Sequence, residues 1–380
     1  MARPRPLALV DATPLQSEHR VRGVGTYTRH LCTALAELAP DEVRFAAEAR
    51  GLDLLPDPVR QRATTGLRPH QPAQVYWLAN EWFLRRALSR SRPLVFHATD
   101  FNGAVHPAGA RLVATLYDLN WMKQPHAERD LSSRLANLRW HVYYRRRLPR
   151  ADVIVAISES VRRDAITMLG VSPERVVTVP LGVDTTRFRE GLPPGPFANT
   201  PPYFLFLGGP EPHKNLTRVL QAFAEVLARH PEAWLYVAGP WSEEAAEALR
   251  ADCRRLGCAE RLRVLGYVAA ADLPALYARA LALVFPSLEE GFGLPILEAM
   301  SCGTAVLTSD RGALQETAGD AALLVDPTDP AAIAAGLARL FDETGLRRHL
   351  REQGLLRAQG FSWRRLAART LELYRACAAG

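Results

Sequence analysis

The sequence predicts an α/β protein of two domains, each a parallel sheet covered by helices on both faces. Three observations lead there. Short apolar runs alternate with longer amphipathic stretches, which is the order of repeated βα units. Most runs are continuously apolar rather than alternating, as strands buried on both faces must be. The segment Gly191-Leu-Pro-Pro-Gly-Pro-Phe-Ala-Asn-Thr-Pro-Pro202 packs five prolines and two glycines into twelve residues and can continue neither helix nor strand.

In the first half the predicted strands are Leu7–Val10, Val43–Ala47, Leu94–His97, Leu112–Leu116, Val153–Ile157 and Val176–Val179. In the second half they are Tyr203–Leu207, Trp234–Val237, Leu262–Leu265, Ala282–Phe285, Ala305–Thr308 and Ala322–Val325. The expected domains are residues 1–190 and 203–360, joined by a linker at 191–202. Residues 361–380 hold an amphipathic stretch, Trp363–Cys377, expected to fold back on the first domain. Sheets of this kind bind ligands at the carboxyl ends of their strands, and pockets favour domain interfaces, so the expected site is a cleft between the halves.

The chain has 380 residues, 48% hydrophobic and 23% charged, the profile of an ordinary globular protein. That excludes a disordered, collagen-like or small disulfide-stapled chain. No apolar run approaches the roughly 20 residues that span a bilayer. The start, Met1-Ala-Arg-Pro-Arg-Pro-Leu-Ala-Leu-Val10, is too short in apolar length for a secretory signal, so the expected compartment is the cytoplasm. The five cysteines are scattered without CxxC or Cys/His zinc spacing, and no metal is expected. The net charge is +7, unevenly spread: residues 1–190 carry 28 basic and 19 acidic side chains, residues 191–380 carry 19 and 21. A basic half points to a polyanionic partner.

The most informative stretch is Phe285-Pro-Ser-Leu-Glu-Glu-Gly-Phe-Gly-Leu-Pro-Ile-Leu-Glu-Ala-Met-Ser-Cys-Gly303. A buried strand ends near Phe285, a loop with Gly291 and Gly293 follows, and Pro295 suits the first turn of a helix that Gly303 ends. Such a unit aims backbone N–H groups and a positive helix end at a ligand, and glycines let the backbone approach it. Glu290 lies in the loop and Glu298 about one turn inside the helix. They read as two acceptors for different hydroxyl-bearing parts of one long ligand, with the glycine backbone between them for its anionic part. A sugar–diphosphate–ribose fits that order.

This segment resembles the E-x7-E signature of retaining glycosyltransferases of family 4, which have the GT-B fold: two Rossmann-like domains facing across a cleft. The resemblance implies that Glu290 contacts the donor sugar, that the backbone of Gly291, Phe292, Gly293 and Leu294 meets sugar and diphosphate, and that Glu298 holds the ribose diol. In Tyr203-Phe-Leu-Phe-Leu-Gly-Gly-Pro-Glu-Pro-His-Lys-Asn-Leu216, the Lys-Asn pair matches the family pattern, with Lys214 as diphosphate ligand and His213 and Asn215 beside it. Many relatives place an arginine where this chain has Gly208, and another branch has one where it has His213. In Arg22-Gly-Val-Gly-Thr-Tyr27, Gly25 matches the glycine loop under the donor diphosphate. Tyr267 and Val268, after the strand Leu262–Leu265, match the loop that holds the base.

His97-Ala-Thr-Asp100 and Tyr117-Asp118-Leu119 each follow a buried strand, and Tyr117 replaces the histidine common in relatives. His97 and Asp118 are expected at the reaction centre, Asp118 either orienting the acceptor hydroxyl or holding its loop. The reaction implied is transfer of a sugar, mannose from GDP-mannose, to a saccharide or lipid-linked acceptor, with no cofactor beyond the nucleotide sugar. The alternatives are a UDP-sugar or dTDP-rhamnose transferase, a sugar-nucleotide epimerase, and a basic surface-binding module. For the last, Arg139-Trp-His-Val-Tyr-Tyr-Arg-Arg-Arg-Leu-Pro-Arg150 interleaves aromatics with cations; an anionic membrane surface is the expected partner, and nucleic acid is not.

Overall fold

The computed structural model describes residues 5–67, 76–100, 105–106, 108–123, 137–138 and 140–379. They form two compact units, Met1–Gly182 with Trp363–Gly380, and Val183–Ser362.

The first unit is built on a seven-stranded sheet in the order β3-β2-β1-β4-β5-β6-β7. Its strands are β1 (Ala8–Asp11), β2 (Val43–Glu48), β3 (Ala63–Gly66), β4 (Val95–Ala98), β5 (Arg111–Leu116), β6 (Val153–Ala156) and β7 (Val176–Thr178). All pairings are parallel. The chain winds outward through β2 and β3, then returns to lay β4 on the other side of β1. Edge strand β3, Ala-Thr-Thr-Gly, lacks the apolar run that marks the others, and its sequence does not announce it.

The second unit has a six-stranded parallel sheet in the order β10-β9-β8-β11-β12-β13. The strands are β8 (Tyr203–Leu207), β9 (Trp234–Ala238), β10 (Leu262–Gly266), β11 (Ala282–Phe285), β12 (Ala305–Ser309) and β13 (Leu323–Val325). Phe204, Phe206, Leu235, Val237, Val284 and Leu307 are fully buried on one core with Phe223 and Leu337 of the covering helices. Each such side chain contributes roughly 1.5–3 kcal/mol on burial. The strand order reverses between β8 and β11, and the carboxyl ends of strands at such a reversal are where sheets of this kind bind ligands.

The boundary between the units lies at Val183, ahead of the expected 190. Residues 183–190 are bound into the second unit: Val183 N donates to Phe361 O at 3.4 Å, Arg187 donates to Ala270 O, and the Phe188 ring meets Tyr277 edge-on at 6.0 Å. The C-terminal helix, Trp363–Ala379, belongs to the first unit. Trp363 stacks on His30 with centroids 4.6 Å apart, and the Tyr374 hydroxyl is hydrogen-bonded to His97 Nδ1.

That last bond corrects the expected role of His97. The imidazole is fully buried, and its Nε2 meets Thr115 Oγ1 at 2.8 Å, which in turn meets the Tyr27 hydroxyl at 2.9 Å. Burial drives His97 down to about 3, so the ring is neutral, with both nitrogens occupied and no surface for a substrate. It is a core anchor for the C-terminal helix. Among the described residues, no helix is long and apolar enough to cross a membrane.

Tyr374→Phe leaves a buried imidazole nitrogen without its partner. Urea unfolding should show a loss of roughly 1–3 kcal/mol; unchanged stability would mean that the network does not hold the helix.

Candidate active site

Two loops meet at the carboxyl ends of β8 and β11. After β8 the chain passes Gly208 and Gly209, makes a short turn at Pro212–Lys214, and enters helix α1 (Leu216–Leu227) through Asn215. Asn215 has φ +67°, a left-handed conformation that few residues other than glycine adopt. Its side chain holds the turn: the buried amide donates to Pro286 O at 2.9 Å and Pro327 O at 2.7 Å, and its oxygen accepts from Arg218 at 3.0 Å. Asn215 was expected in the donor set; its side chain is instead spent on the loop.

The neighbouring residues grip the same partner. Leu288 N donates to His213 O at 2.8 Å, and Lys214 Nζ reaches Glu290 Oε1 at 2.6 Å. Both charged side chains are largely shielded, 21% and 15% exposed, so this pair is screened less than a surface ion pair. Lys214 Nζ also lies 5.3 Å from the centre of the Phe285 ring. Gly208 leaves room for the lysine stem, because a Cβ there would stand 3.4 Å from Lys214 Cγ and 3.2 Å from Phe206.

After Glu290 the chain runs through Gly291, Phe292 and Gly293 into helix α2 (Leu294–Ser301). Phe292 points inward, 4% exposed, against Phe361, and its carbonyl accepts from Thr317 at 2.7 Å. Gly293 has φ +99°, and a Cβ there would lie 2.7 Å from Leu314 Cδ2. The loop thus presents its backbone and the positive N-terminal end of α2, where Pro295 has no N–H and Ile296 N donates to Gly293 O at 3.0 Å. One turn in, Glu298 Oε2 accepts from the Tyr277 hydroxyl at 2.8 Å. Burial pushes Glu298 up to about 7, against the lowering pull of that bond and of nearby Arg187. Glu290 and Glu298 therefore sit in different surroundings, one paired with a cation and the other with a phenol.

Two family models match the chain in succession: Glycosyltransferase Family 4 over residues 21–187 and Glycosyl transferases group 1 over residues 189–357. The chain belongs to glycosyltransferase family 4. Among relatives of this family-4 chain, the O-antigen chain mannosyltransferase B of Escherichia coli is 34% identical over 244 residues, 60% of this chain and 61% of that protein. The chain thus matches about three fifths of that relative. The MMP alpha-(1->4)-mannosyltransferase of Mycolicibacterium hassiacum is 29% identical over 94% of this chain and 96% of its own. Among solved structures, sucrose-phosphate synthase from Thermosynechococcus elongatus superposes with a TM-score of 0.76 at 22% identity, covering 99% of this chain and 100% of that one. WaaG, a glycosyltransferase involved in lipopolysaccharide biosynthesis, gives 0.70 at 16% identity, covering 97% and 99%. The fold of this family-4 chain is GT-B.

The remaining family positions divide by unit. Tyr267, 70% exposed, and Val268 lie in the loop after β10, which leaves Gly266 at φ +65°. Gly25 is buried in the first unit, where a Cβ would lie 2.4 Å from His19 O; its bareness serves the packing of helix Gly23–Leu38 on the preceding turn. Gly23, not Gly25, stands in open space. Asp118 follows β5, and its Oδ1 accepts from Asn120 N at 2.9 Å, which supports the loop-holding role. Tyr117 donates to Thr99 O at 2.6 Å.

Sequence reasoning missed three residues here. Gly239, at φ +150°, would drive a Cβ to 2.2 Å from Gly208 O; the Gly-Pro after a strand was its signal. Arg311 lines the same small recess as Glu290, paired with Asp326 at 2.6 Å. Tyr277, which fixes one oxygen of Glu298, sits in an ordinary apolar helix and carries no local signal.

Carboxyl NMR of the free protein should place the Glu298 midpoint at about 7, well above the usual 4.5. Tyr277→Phe removes a bond that favours the carboxylate and should raise the midpoint further. A wild-type midpoint near 4.5 would contradict this account of Glu298.

Proposed function

We propose that the protein is a retaining, metal-independent glycosyltransferase that moves mannose from GDP-mannose to a hydroxyl of a saccharide or lipid-linked acceptor, in the synthesis of a surface polysaccharide or glycoconjugate. Family membership supports a transferase, and two relatives named as mannosyltransferases support the sugar. The single observation that carries the reading is the Lys214–Glu290 contact at the mouth of the glycine loop. Each partner neutralises the other until a ligand brings a diphosphate for the lysine and sugar hydroxyls for the glutamate.

With the donor bound, Glu290 accepts from the sugar hydroxyls and Glu298, held by Tyr277, accepts from the ribose diol. Lys214 and the positive N-terminal end of α2 stabilise the leaving diphosphate as its charge grows. Arg311, lining the same recess, supplies a second cation in place of the arginine absent at Gly208 and His213. The bond from the anomeric carbon to the phosphate oxygen breaks as a bond to the acceptor oxygen forms on the same face. The acceptor's proton passes to the departing phosphate. The basic first half suits an enzyme working at the cytoplasmic surface of an anionic membrane.

A donor panel with a simple acceptor tests the reading. GDP-mannose should release nucleotide faster than UDP-glucose, and the reverse result would overturn the donor. Glu290→Ala should lower kcat/KM by roughly 10²–10³-fold, and an unaltered rate would refute its assignment.

A further inference from the structure

The surplus charge of the first unit surfaces only in part with the aromatics that the sequence set beside it. In the run 139–150, Arg139 lies outside the described residues, Tyr143 and Tyr144 are 4% and 6% exposed, and Arg147 is paired with Glu81 at 2.6 Å. The two tyrosines of that run face inward, while Arg145, Arg146 and Arg150 are exposed.

The helix Tyr76–Ser91 behaves differently. It exposes Leu78 and Trp82, at 48% and 47%. Arg85, Arg86 and Ser89 follow at helical spacing on the same exposed face. The Arg86 guanidinium lies 5.4 Å from the centre of the Trp82 ring. At its C-terminal end this face runs into an open groove of about 1120 Å³ lined by Arg5, Arg85, Arg90, Arg92 and His106 and, among the described residues, by no carboxylate. Arg5 donates to the carbonyls of Arg92, Pro93 and Gly109, and Arg90 to that of Thr65. Carbonyls satisfy hydrogen bonds but leave the charge in place. Of the four arginines, only Arg85 meets a carboxylate among the described residues, Glu81 at 2.8 Å.

The topology sets this surface apart from the chemistry. Arg5, Arg92 and Ala110 precede β1, β4 and β5, so the groove lies at the amino ends of the strands. Because β3 and β4 are parallel members of one sheet, the helix joining them runs back from the carboxyl edge to the amino edge. Its exposed side therefore spans the flank of the unit, with apolar residues first and guanidiniums last.

We propose that this face docks the protein on an anionic phospholipid bilayer, with Trp82 and Leu78 at headgroup depth and the arginines on lipid phosphates. The proposal deepens the membrane part of the function above and rests on that reading for its purpose, not for its binding. A soluble polyanion would satisfy the arginines but leave Leu78 and Trp82 in water, and so the bilayer is favoured.

Co-sedimentation of the full chain with phosphatidylglycerol–phosphatidylcholine vesicles tests it. Binding should exceed that to pure phosphatidylcholine and fall at least tenfold at high salt. Arg86→Glu with Arg90→Glu should weaken it by roughly tenfold or more, and Trp82→Ser should weaken it at fixed charge. Arg255→Glu with Arg348→Glu, on exposed sites of the second unit, should leave most of it. Transfer to a water-soluble acceptor should be unchanged in the Arg86/Arg90 variant, which separates loss of docking from loss of the transferase. Equal binding to neutral vesicles, undiminished binding of the face variants, or capture of inositol hexakisphosphate without vesicle binding would each overturn the proposal.

Discussion

The contact between Lys214 and Glu290 is the constraint around which the second unit is organised. Two loops from non-consecutive strands must stay in register to bring an ammonium within 2.6 Å of a carboxylate. Three successive residues, 213–215, do this with a carbonyl, an ammonium and an amide, each directed at the segment between Pro286 and Glu290. The left-handed conformation of Asn215 is the cost of turning the chain sharply enough, and its two buried bonds to carbonyls repay it. The reversal of strand order between β8 and β11 makes the arrangement possible, since it pairs the two strands and puts the loops that follow them side by side.

Around that pair the backbone is kept bare. Gly208, Gly239 and Gly266 stand at or just past the carboxyl ends of β8, β9 and β10, linked by Gly208 N to Ala238 O and Gly239 N to Gly266 O. Gly239 has no room for a side chain. The result is a strip of peptide groups beside Lys214 and a helix N-terminus, which suits a ligand with a diphosphate in its middle. Glu298 stands apart, packed into protein and held by a phenol, so the two carboxylates differ in surroundings as well as position.

Much of this was legible. Buried parallel strands declare themselves as uninterrupted apolar runs, and the stretch 285–303 shows its strand, loop and helix through its own prolines and glycines. What was not legible depends on tertiary partners. His97 follows a strand as a ligand-binding residue would, but its imidazole is covered by Tyr374, from a helix 277 residues away. Gly25 reads as a phosphate loop and turns out to admit the backbone of residues 19–20. Asn215 matches a motif for a reason of backbone geometry. β3 has too little apolar character to be seen, because an edge strand is covered less than its neighbours. The basic run 139–150 has the composition of a surface stripe; its tyrosines are buried in the unit, while Arg145, Arg146 and Arg150 stay at the surface.

The central claim is that Lys214 and Glu290 hold each other only until the donor separates them. Its direct measurement is a crystal structure of the protein soaked with an unreactive GDP-mannose analogue. Lys214 Nζ should move onto a diphosphate oxygen while Glu290 accepts from the sugar hydroxyls. A complex in which the ion pair stays intact and the diphosphate lies elsewhere would contradict it.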